Sequence, residues 1–481
     1  MQDPSAIQKV LFRTGGIVMD SQEVKEKPTA MYEGSVPSVV MRNILPAMTS
    51  SLLMLVYNLA DSLFIGQTHN DLMIAAVSLA MPLFLMFMSL GTLFGVGGAS
   101  VISRELGMGN KERACKASSF CVWTCIAVGI VFMLIIWIFM DPILVLLGAS
   151  DDTMEYTRTY LTIVTGCGVF SMMIYCYSNL IRAEGKAVAA MGGTLIGNIL
   201  NIILDPILIL GFGWGITGAA VATVIGNIVG ALYYIIYVAS GKFSLSAKLK
   251  DYTAGDRIAK NVLGIGIPAA LSSFLMSISN IIANSLIASY GDMAVAAYGI
   301  AGKIRSCFAV LCIGMGQGLQ PILAYHYGSM NRGKFKQTYS FALVFALIFS
   351  CVITILCWIF TEPIVDVFLT DEGALEYGIS FTRAMLLATW FFGIYDIMQI
   401  TLQAMGKAGA SMIAAVSRQG IIYIPLVFIM ASIGGLYGIV YAQPLAEYIS
   451  LVLVIILDAV TLKGFLKPKQ KSAEKHEKKM N

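Results

Sequence analysis

The chain has 481 residues, of which 57% are hydrophobic and 12% are charged, and its mean hydropathy is +0.78. This composition excludes a set of soluble domains and is typical of a protein whose surroundings are lipid. The formal net charge of +4 is too small to indicate a nucleic-acid partner, and we expect none.

Apolar stretches long enough to cross a bilayer, about 20 residues each, follow one another along the chain. A first group of six lies at residues 38–66, 73–103, 118–140, 156–181, 187–212 and 216–240. A second group of six lies at residues 261–288, 293–325, 338–361, 378–404, 408–432 and 435–462. The sequence therefore predicts an all-α integral membrane protein with about twelve transmembrane helices.

Lys and Arg are concentrated in alternate connecting segments. The basic segments are 104–117, 182–186, 241–260 and 326–337, whereas 141–155 and 362–376 carry only acidic charges. Since positively charged loops remain in the cytoplasm, this pattern predicts that the basic segments and both termini are cytoplasmic. Residues 1–30 contain no continuous apolar segment, so we expect no cleavable signal peptide.

These features predict a chain of five parts. They are a cytoplasmic N-terminal tail (1–37), an N-terminal six-helix half (38–240), a cytoplasmic linker (241–260), a C-terminal six-helix half (261–462) and a basic cytoplasmic tail (463–481).

The two halves share a sequence pattern. Ala75 to Lys186 aligns without a gap on Ala296 to Lys407 at a constant offset, as for Gly107 and Gly328 (328 − 107 = 221). An even number of spans in each half makes the repeats parallel, related by an axis along the membrane normal. A duplicated apolar chain is typical of a secondary transporter, in which two halves rock around a site at their interface.

Four acidic residues lie away from the ends of the predicted spans: Asp61, Asp205, Asp396 and Glu447. A carboxylate in hydrocarbon is costly, so such a residue usually faces a cavity or a partner and is functional. Asp61 follows Tyr57 and Asn58 in the first span, and Asn198, Asn201 and Asp205 fall on one face of the fifth. These side chains could bind a hard cation or a proton, or they could only bond helix to helix.

The duplication separates the acids of the two halves. Aligning Ala60–Leu63 on Ala283–Leu286 places Asn284 opposite Asp61, so this acid occurs in one half only. Asp396, followed by Gln399 on the same face, is the acid of the second half. Arg418 and Glu447 could neutralise each other or Asp396, either as a structural ion pair or in transport.

Three runs in this order, Asn58–Ser62, Gly107–Asn110 and Arg182–Lys186, resemble the multidrug and toxic compound extrusion (MATE) family, most closely its bacterial MepA-like members. The resemblance covers residues 38–462. It implies a multi-pass protein of the bacterial cytoplasmic (inner) membrane, functional as a monomer, that exports amphipathic, often cationic drugs. It also implies exchange for H⁺ or Na⁺, with no other cofactor.

The resemblance further implies functional residues. The cation-coupling site, which is also the candidate sodium site, would comprise Asp61, Asn201, Asp205 and Thr223, with Asn179 nearby. We expect the substrate cavity to be lined by Tyr57, Asn58, Asn198, Asn280, Asn284, Asp396 and Gln399. Some members place a coupling acid on the seventh helix, but Val262–Ala288 contains no Asp or Glu, which puts a second coupling site in doubt.

Two other functions compete with drug export. A lipid or glycolipid flippase of similar architecture would need cationic side chains for its anionic headgroup, and Lys303, Arg305 and Arg418 are the candidates. An enzyme is not expected, because the three histidines (His69, His326 and His476) lie in predicted loops or the tail, without H-E-x-x-H or triad spacing. The nine cysteines contain no C-x-x-C pair and indicate neither disulfides nor a zinc site.

Overall fold

The computed structural model describes residues 32–68, 70–240, 244–369 and 372–466. Within these ranges the chain forms helices and no β-strand. The N-terminal half contains α1 (Val36–Gly66), α2 (Asp71–Gly107), α3 (Lys111–Ile138), α4 (Met140–Leu146), α5 (Asp151–Gly166), α6 (Gly168–Ala183), α7 (Ala187–Asp205), a π-helical turn (Pro206–Gly211) and α8 (Gly215–Ala239).

A short 3-10 turn (Leu249–Asp251) precedes the C-terminal half. This half contains α9 (Ile258–Ala288), α10 (Asp292–Gly328), α11 (Arg332–Ile359), α12 (Thr361–Asp366), α13 (Glu372–Leu386), a 3-10 turn (Thr389–Phe391), α14 (Phe392–Ala404), α15 (Ala408–Val416), a π-helical turn (Ser417–Ile422) and α16 (Tyr423–Leu466). The order of long helices, short outer helices and π turns is the same in both halves.

The described residues contain ten helical segments that are long and apolar enough to span a membrane, or eleven when the pair α5 and α6, bent by 48°, counts as one. One of these, Ala408–Leu466, has 59 residues. At about 1.5 Å per residue it would be about 88 Å long, nearly three times the hydrocarbon thickness. It is broken at Gly435, whose φ of 55° and ψ of −133° are not helical. Counted as two spans, it brings the total to twelve (11 + 1), which confirms the predicted all-α membrane fold.

The halves contact each other through α1 and α2 on one side and α9 and α10 on the other, as parallel repeats require. We define the basic end as the end that carries residues 104–117 and 326–337, and the acidic end as the opposite one. At the basic end, a Cβ added to Gly107 would lie closer than 3.0 Å to the carbonyl oxygen of Tyr325. A Cβ added to its repeat mate Gly328 would clash in the same way with the carbonyl oxygen of Arg104. The backbones of the two halves therefore touch where only glycine fits.

The described part of the linker is fixed to the N-terminal half. Ser118 and Ser119 of α3 donate their hydroxyl hydrogens to the carbonyl oxygens of Ser246 (2.7 Å) and Lys248 (2.8 Å). The Trp123 indole N–H donates to the carbonyl oxygen of Ala247 (3.0 Å). Residues 244–251 thus follow the surface of α3, and α9 already begins at Ile258, inside the predicted linker.

Two residues that were predicted in loops lie in helices. Arg182 is in α6 with 2% of its surface exposed, and His326 is in α10 with 4% exposed. Their charge and polarity predict loop positions. In the structure each helix continues past the residue, and the side chains of Arg182 and His326 are buried. His69 and His476 lie outside the described residues, as do residues 1–31 and 467–481 of the predicted tails.

The predicted topology can be tested by labelling. Lys111 and Asp152 are both exposed, at the basic and the acidic end respectively. We expect a membrane-impermeant thiol reagent added to intact cells to label Asp152→Cys and to leave Lys111→Cys unlabelled, because Lys and Arg mark the cytoplasmic side. Lys111→Cys should react once the membrane is permeabilised, and the reverse pattern would show that the topology is inverted.

Candidate functional site

Three predicted coupling residues form one hydrogen-bonded group in the N-terminal half. Asp205 is the last residue of α7 and is fully buried. With its amide oriented to satisfy both neighbours, Asn201 donates to Asp205 Oδ2 (3.2 Å) and accepts from the backbone N–H of Thr223 on α8 (3.1 Å). The π-helical turn that begins at Pro206 follows directly, a local distortion that is frequent at functional sites.

Asp61 approaches this group from α1, which packs against α7. Its carboxylate lies close enough to that of Asp205 for the two charges to repel each other, and the hydroxyl groups of Tyr57 and Tyr160 lie near both carboxylates. Asp61 Oδ1 is buried and has no hydrogen-bond partner among the described residues. A buried carboxylate oxygen without a donor is unfavourable, so this atom is suited to accept a cation.

The group fits a monovalent cation. Asp61 and Asp205 can neutralise its charge, while Asn201 and Thr223 can add neutral oxygen ligands of the kind that hard cations prefer. Alternatively, a proton can bind to one carboxylate and remove the repulsion between the two. Among the described residues, no three His, Cys, Asp or Glu side chains form a cluster that could hold a metal ion.

A polar cavity adjoins the coupling group. It is small, with a volume of about 20 Å³, and its lining includes Tyr57, Asn198, Asn201 and Thr223. Asn198 Nδ2 is buried and has no hydrogen-bond partner within the described ranges. All lining residues belong to the N-terminal half, and two of the predicted substrate-cavity residues, Tyr57 and Asn198, are among them.

The other predicted cavity residues lie elsewhere. The Asn58 side chain donates to the carbonyl oxygen of Met54 in its own helix (2.8 Å). Asn280 and Asn284 are exposed, one turn apart on α9. Because an amide facing hydrocarbon would be costly, we expect these two to face an aqueous space.

Asn179 belongs to a different polar group. It accepts from Arg182 Nη1 (3.1 Å), and the same nitrogen donates to Gln317 Oε1 on α10 (3.3 Å). Within the described residues, none of the hydrogen bonds of Asn179 reaches Asp61 or Asp205. The buried Arg182, which joins the two halves, was missed from the sequence because it was counted as a loop charge.

The two acids predicted inside the spans of the C-terminal half, Asp396 and Glu447, are paired with arginines. Arg305 Nη1 lies 3.1 Å from Glu447 Oε1, and Arg418 lies 3.4 Å from Asp396 Oδ1 and 3.6 Å from Glu447 Oε1. Arg418 thus lies between Glu447 and Asp396 and offsets part of the charge of each, so both pairings left open by the sequence occur. Gln399 is buried one turn after Asp396 on α14. From the sequence, Arg305 was predicted only as a candidate ligand of an anionic lipid headgroup. An arginine inside an apolar span also indicates an acidic partner, which here is Glu447.

Solved structures share this fold. The chain superposes on an outward-facing conformation of a multidrug resistance MATE family transporter of the MOP superfamily with a TM-score of 0.86, at 22% identity, over 92% of this chain and 99% of that one. It superposes on a mutant of the Vibrio cholerae MATE transporter VcmN with a TM-score of 0.84, at 23% identity, over 90% and 99% of the two chains. At this identity the likeness establishes the fold alone.

Similarity in sequence establishes the family as well as the fold. The chain is 32% identical over 425 residues to the multidrug export protein MepA of Staphylococcus aureus (strain MRSA252), covering 88% of this chain and 94% of that protein. It is 32% identical over 426 residues to MepA of Staphylococcus haemolyticus (strain JCSC1435), with the same coverage. The MatE family model matches twice, at residues 46–207 and 268–429, once in each half. The chain therefore belongs to the multidrug and toxic compound extrusion (MATE) family.

Proposed function

We propose that this protein exports amphipathic, mainly cationic small molecules across the bacterial cytoplasmic membrane in exchange for protons or sodium ions. The observation that carries the proposal is the buried, hydrogen-bonded group of Asn201, Asp205 and Thr223, together with Asp61 on the adjoining helix α1, whose buried Oδ1 has no hydrogen-bond partner among the described residues. The names of the MepA relatives support a drug as the exported molecule. We expect the protein to act as a monomer in the lipid bilayer.

A coupling cation supplies useful energy. One charge that crosses a membrane potential of about 100 mV releases about 2.3 kcal/mol. At about 1.4 kcal/mol per tenfold, this sustains a roughly fortyfold concentration ratio of the exported molecule.

The helix α1 connects the coupling group to the contact between the halves. Asp61 lies near the acidic end of α1, whereas Asn43 and Ile44, nearer its basic end, pack against Gly318 of α10. A cation bound between Asp61 and Asp205 neutralises their repulsion and draws α1 toward α7. We expect this movement to pass along α1 to its contact with α10 and so to drive the rocking of the halves.

The charges of the cavity region favour cationic cargo over a lipid headgroup. Two of the three candidate headgroup ligands, Arg305 and Arg418, are neutralised by Glu447 and Asp396. Lys303 remains exposed on α10. One exposed lysine is a weak basis for binding an anionic headgroup, so the flippase alternative loses most of its support.

Transport in reconstituted vesicles tests the proposal. We expect efflux of a fluorescent cationic dye to be driven by a pH gradient alone or by a sodium gradient alone, and the effective gradient identifies the coupling ion. Vesicles without protein give the background, and a neutral dye of similar size tests the charge preference. If neither gradient drives dye efflux but a lipid-linked glycan crosses the membrane, the flippase alternative replaces the proposal.

A further inference from the structure

The charged cluster of the C-terminal half occupies the position that a polar cavity occupies in the N-terminal half. At the offset of 221, Arg305 and Asp396 correspond to Phe84 and Tyr175 (305 − 84, 396 − 175). Arg418 follows the gap-free part of the repeat and corresponds to Gly197 at an offset of 221 or to Asn198 at an offset of 220 (418 − 197, 418 − 198). All four of these N-terminal residues line the polar cavity beside the coupling group.

The fourth member of the cluster follows the same rule after a one-residue shift. Gly215 and Gly435 have matching positive φ values of 51° and 55°, which sets the offset of the last span at 220 (435 − 215). Glu447 then corresponds to Asn227 (447 − 227 = 220), which also lines the N-terminal cavity. Thus every member of the C-terminal cluster has its repeat mate on the wall of one cavity.

Arg418 brings a positive charge where the N-terminal half has none. Its candidate mates, Gly197 and Asn198, are uncharged residues on the wall of the N-terminal cavity. Arg418 instead places a guanidinium group among the C-terminal cluster, with 11% of its side chain exposed.

The surroundings of this guanidinium are those of a cation receptor. Its central carbon lies 4.1 Å from the ring centre of Phe392 and 4.5 Å from that of Tyr395. Asp396 and Glu447 supply a carboxylate each, at 3.4 and 3.6 Å from Arg418. Asp396 Oδ2 is buried and has no hydrogen-bond partner among the described residues. Two aromatic faces and two carboxylates recognise organic cations in general. We call Phe392, Tyr395, Asp396 and Glu447 the cation box.

Arg418 determines the net charge of the C-terminal cluster. Arg305 and Arg418 balance Asp396 and Glu447, so the cluster is neutral, and Arg305 has its own hydrogen bond to Glu447 that does not involve Arg418. Without Arg418 the cluster carries one uncompensated negative charge in a buried site, which is strongly unfavourable unless a cation or a proton binds.

We propose that Arg418 is a tethered cation that fills a cation-binding site of the C-terminal half. The cation box therefore binds no exchangeable ion while Arg418 occupies it. When this side chain is removed, the box binds a free monovalent cation of the guanidinium class. Together with the proposed function, this confines ion coupling to the group around Asp61, but the binding property itself is independent of transport.

Thermal unfolding of the purified protein tests the proposal by chemical rescue. We expect low millimolar methylguanidinium to raise the Tm of Arg418→Ala by a few degrees in a saturable manner, and to leave the Tm of the wild type unchanged. Urea, which has a similar shape but no charge, should not raise it. Arg418→Lys keeps a tethered cation and should not respond. The Asp396→Asn/Arg418→Ala double variant is again neutral and should lose the response.

A response of Arg418→Ala no larger than that of the wild type, or an equal response of the double variant, overturns the proposal. If Arg418→Ala cannot be purified without an added organic cation, its yield after extraction with methylguanidinium chloride is compared with its yield after extraction with sodium chloride. An increased yield for this variant but not for the double variant supports the proposal, and equal yields overturn it. Repeating the test in an Asp61→Asn background separates the result from the coupling mechanism, because the response should persist there.

Discussion

Asp61→Asn is expected to reduce gradient-driven dye efflux to background while expression and thermal stability stay near those of the wild type. Asparagine keeps the size of the side chain and its capacity for hydrogen bonds, and it is the residue that the C-terminal half carries at the equivalent position, Asn284. The substitution removes the negative charge that would bind the coupling cation beside Asp205. It leaves the hydrogen-bonded group of Asn201, Asp205 and Thr223 in place.

The measurement is efflux from vesicles under the gradient that drives the wild type. Asp152→Asn, which changes an exposed acid at the acidic end, is the matched control and should transport at the wild-type rate. Substrate binding without a gradient should persist in Asp61→Asn, which separates lost coupling from lost folding. Efflux at the wild-type rate in Asp61→Asn would refute the N-terminal coupling site and make Asp396 the leading candidate.

The second large effect is expected for Gly328→Val at the basic end. The added Cβ would meet backbone atoms of Arg104, which cannot move without displacing α2. Overpacking of this kind costs about 1–3 kcal/mol. Since this contact joins the two halves, the substitution destabilises the conformation in which the basic end is closed. A shift of about 1.4 kcal/mol changes the ratio of two conformations tenfold, so we expect export to fall by about tenfold.

Thiol labelling in a variant without the nine native cysteines reports this shift. Ser100 is buried at the basic end, where its hydroxyl group donates to the carbonyl oxygen of Gln403 (2.5 Å). Ser100→Cys should react faster from the cytoplasmic side when Gly328→Val is present. Gly302→Val in the same helix is the control, because a Cβ added to Gly302 meets nothing within 4 Å. Unchanged export and labelling in Gly328→Val, or equal changes in Gly302→Val, would contradict this account.

The fold was predictable because its determinants are local or repeat along the sequence. Span lengths follow from continuous apolar runs, and the parallel arrangement follows from an even number of spans in each half. The cluster of Asn201 and Asp205 was also accessible, since residues four apart on a helix share one face. The approach of Thr223, which lies on another helix, was implied by the family resemblance alone.

What sequence reasoning missed depends on contacts between distant helices. Arg305 and Glu447 are separated by 142 positions, and neither residue type nor spacing shows that they pair. The presence of Tyr57 and Asn198 on the wall of a cavity within one half likewise depends on how α7 packs against α8. A positive charge near the end of a span predicts a loop, but Arg182 lies inside the protein, where it donates hydrogen bonds to Asn179 and Gln317.

The reciprocal contact at the basic end has a further consequence. Gly107 packs against Tyr325, and Gly328 packs against Arg104, two pairs related by the same offset (325 − 104 = 328 − 107 = 221). Such an isologous interface, in which each partner presents the same patch, is the kind that two identical subunits form. The junction of the halves thus retains the geometry of a homodimer of six-helix chains. Residues 244–251 follow α3 and contribute to the fold of one half. The two halves differ instead in their interiors, where Asp61 has no acidic counterpart and Arg418 has no charged one.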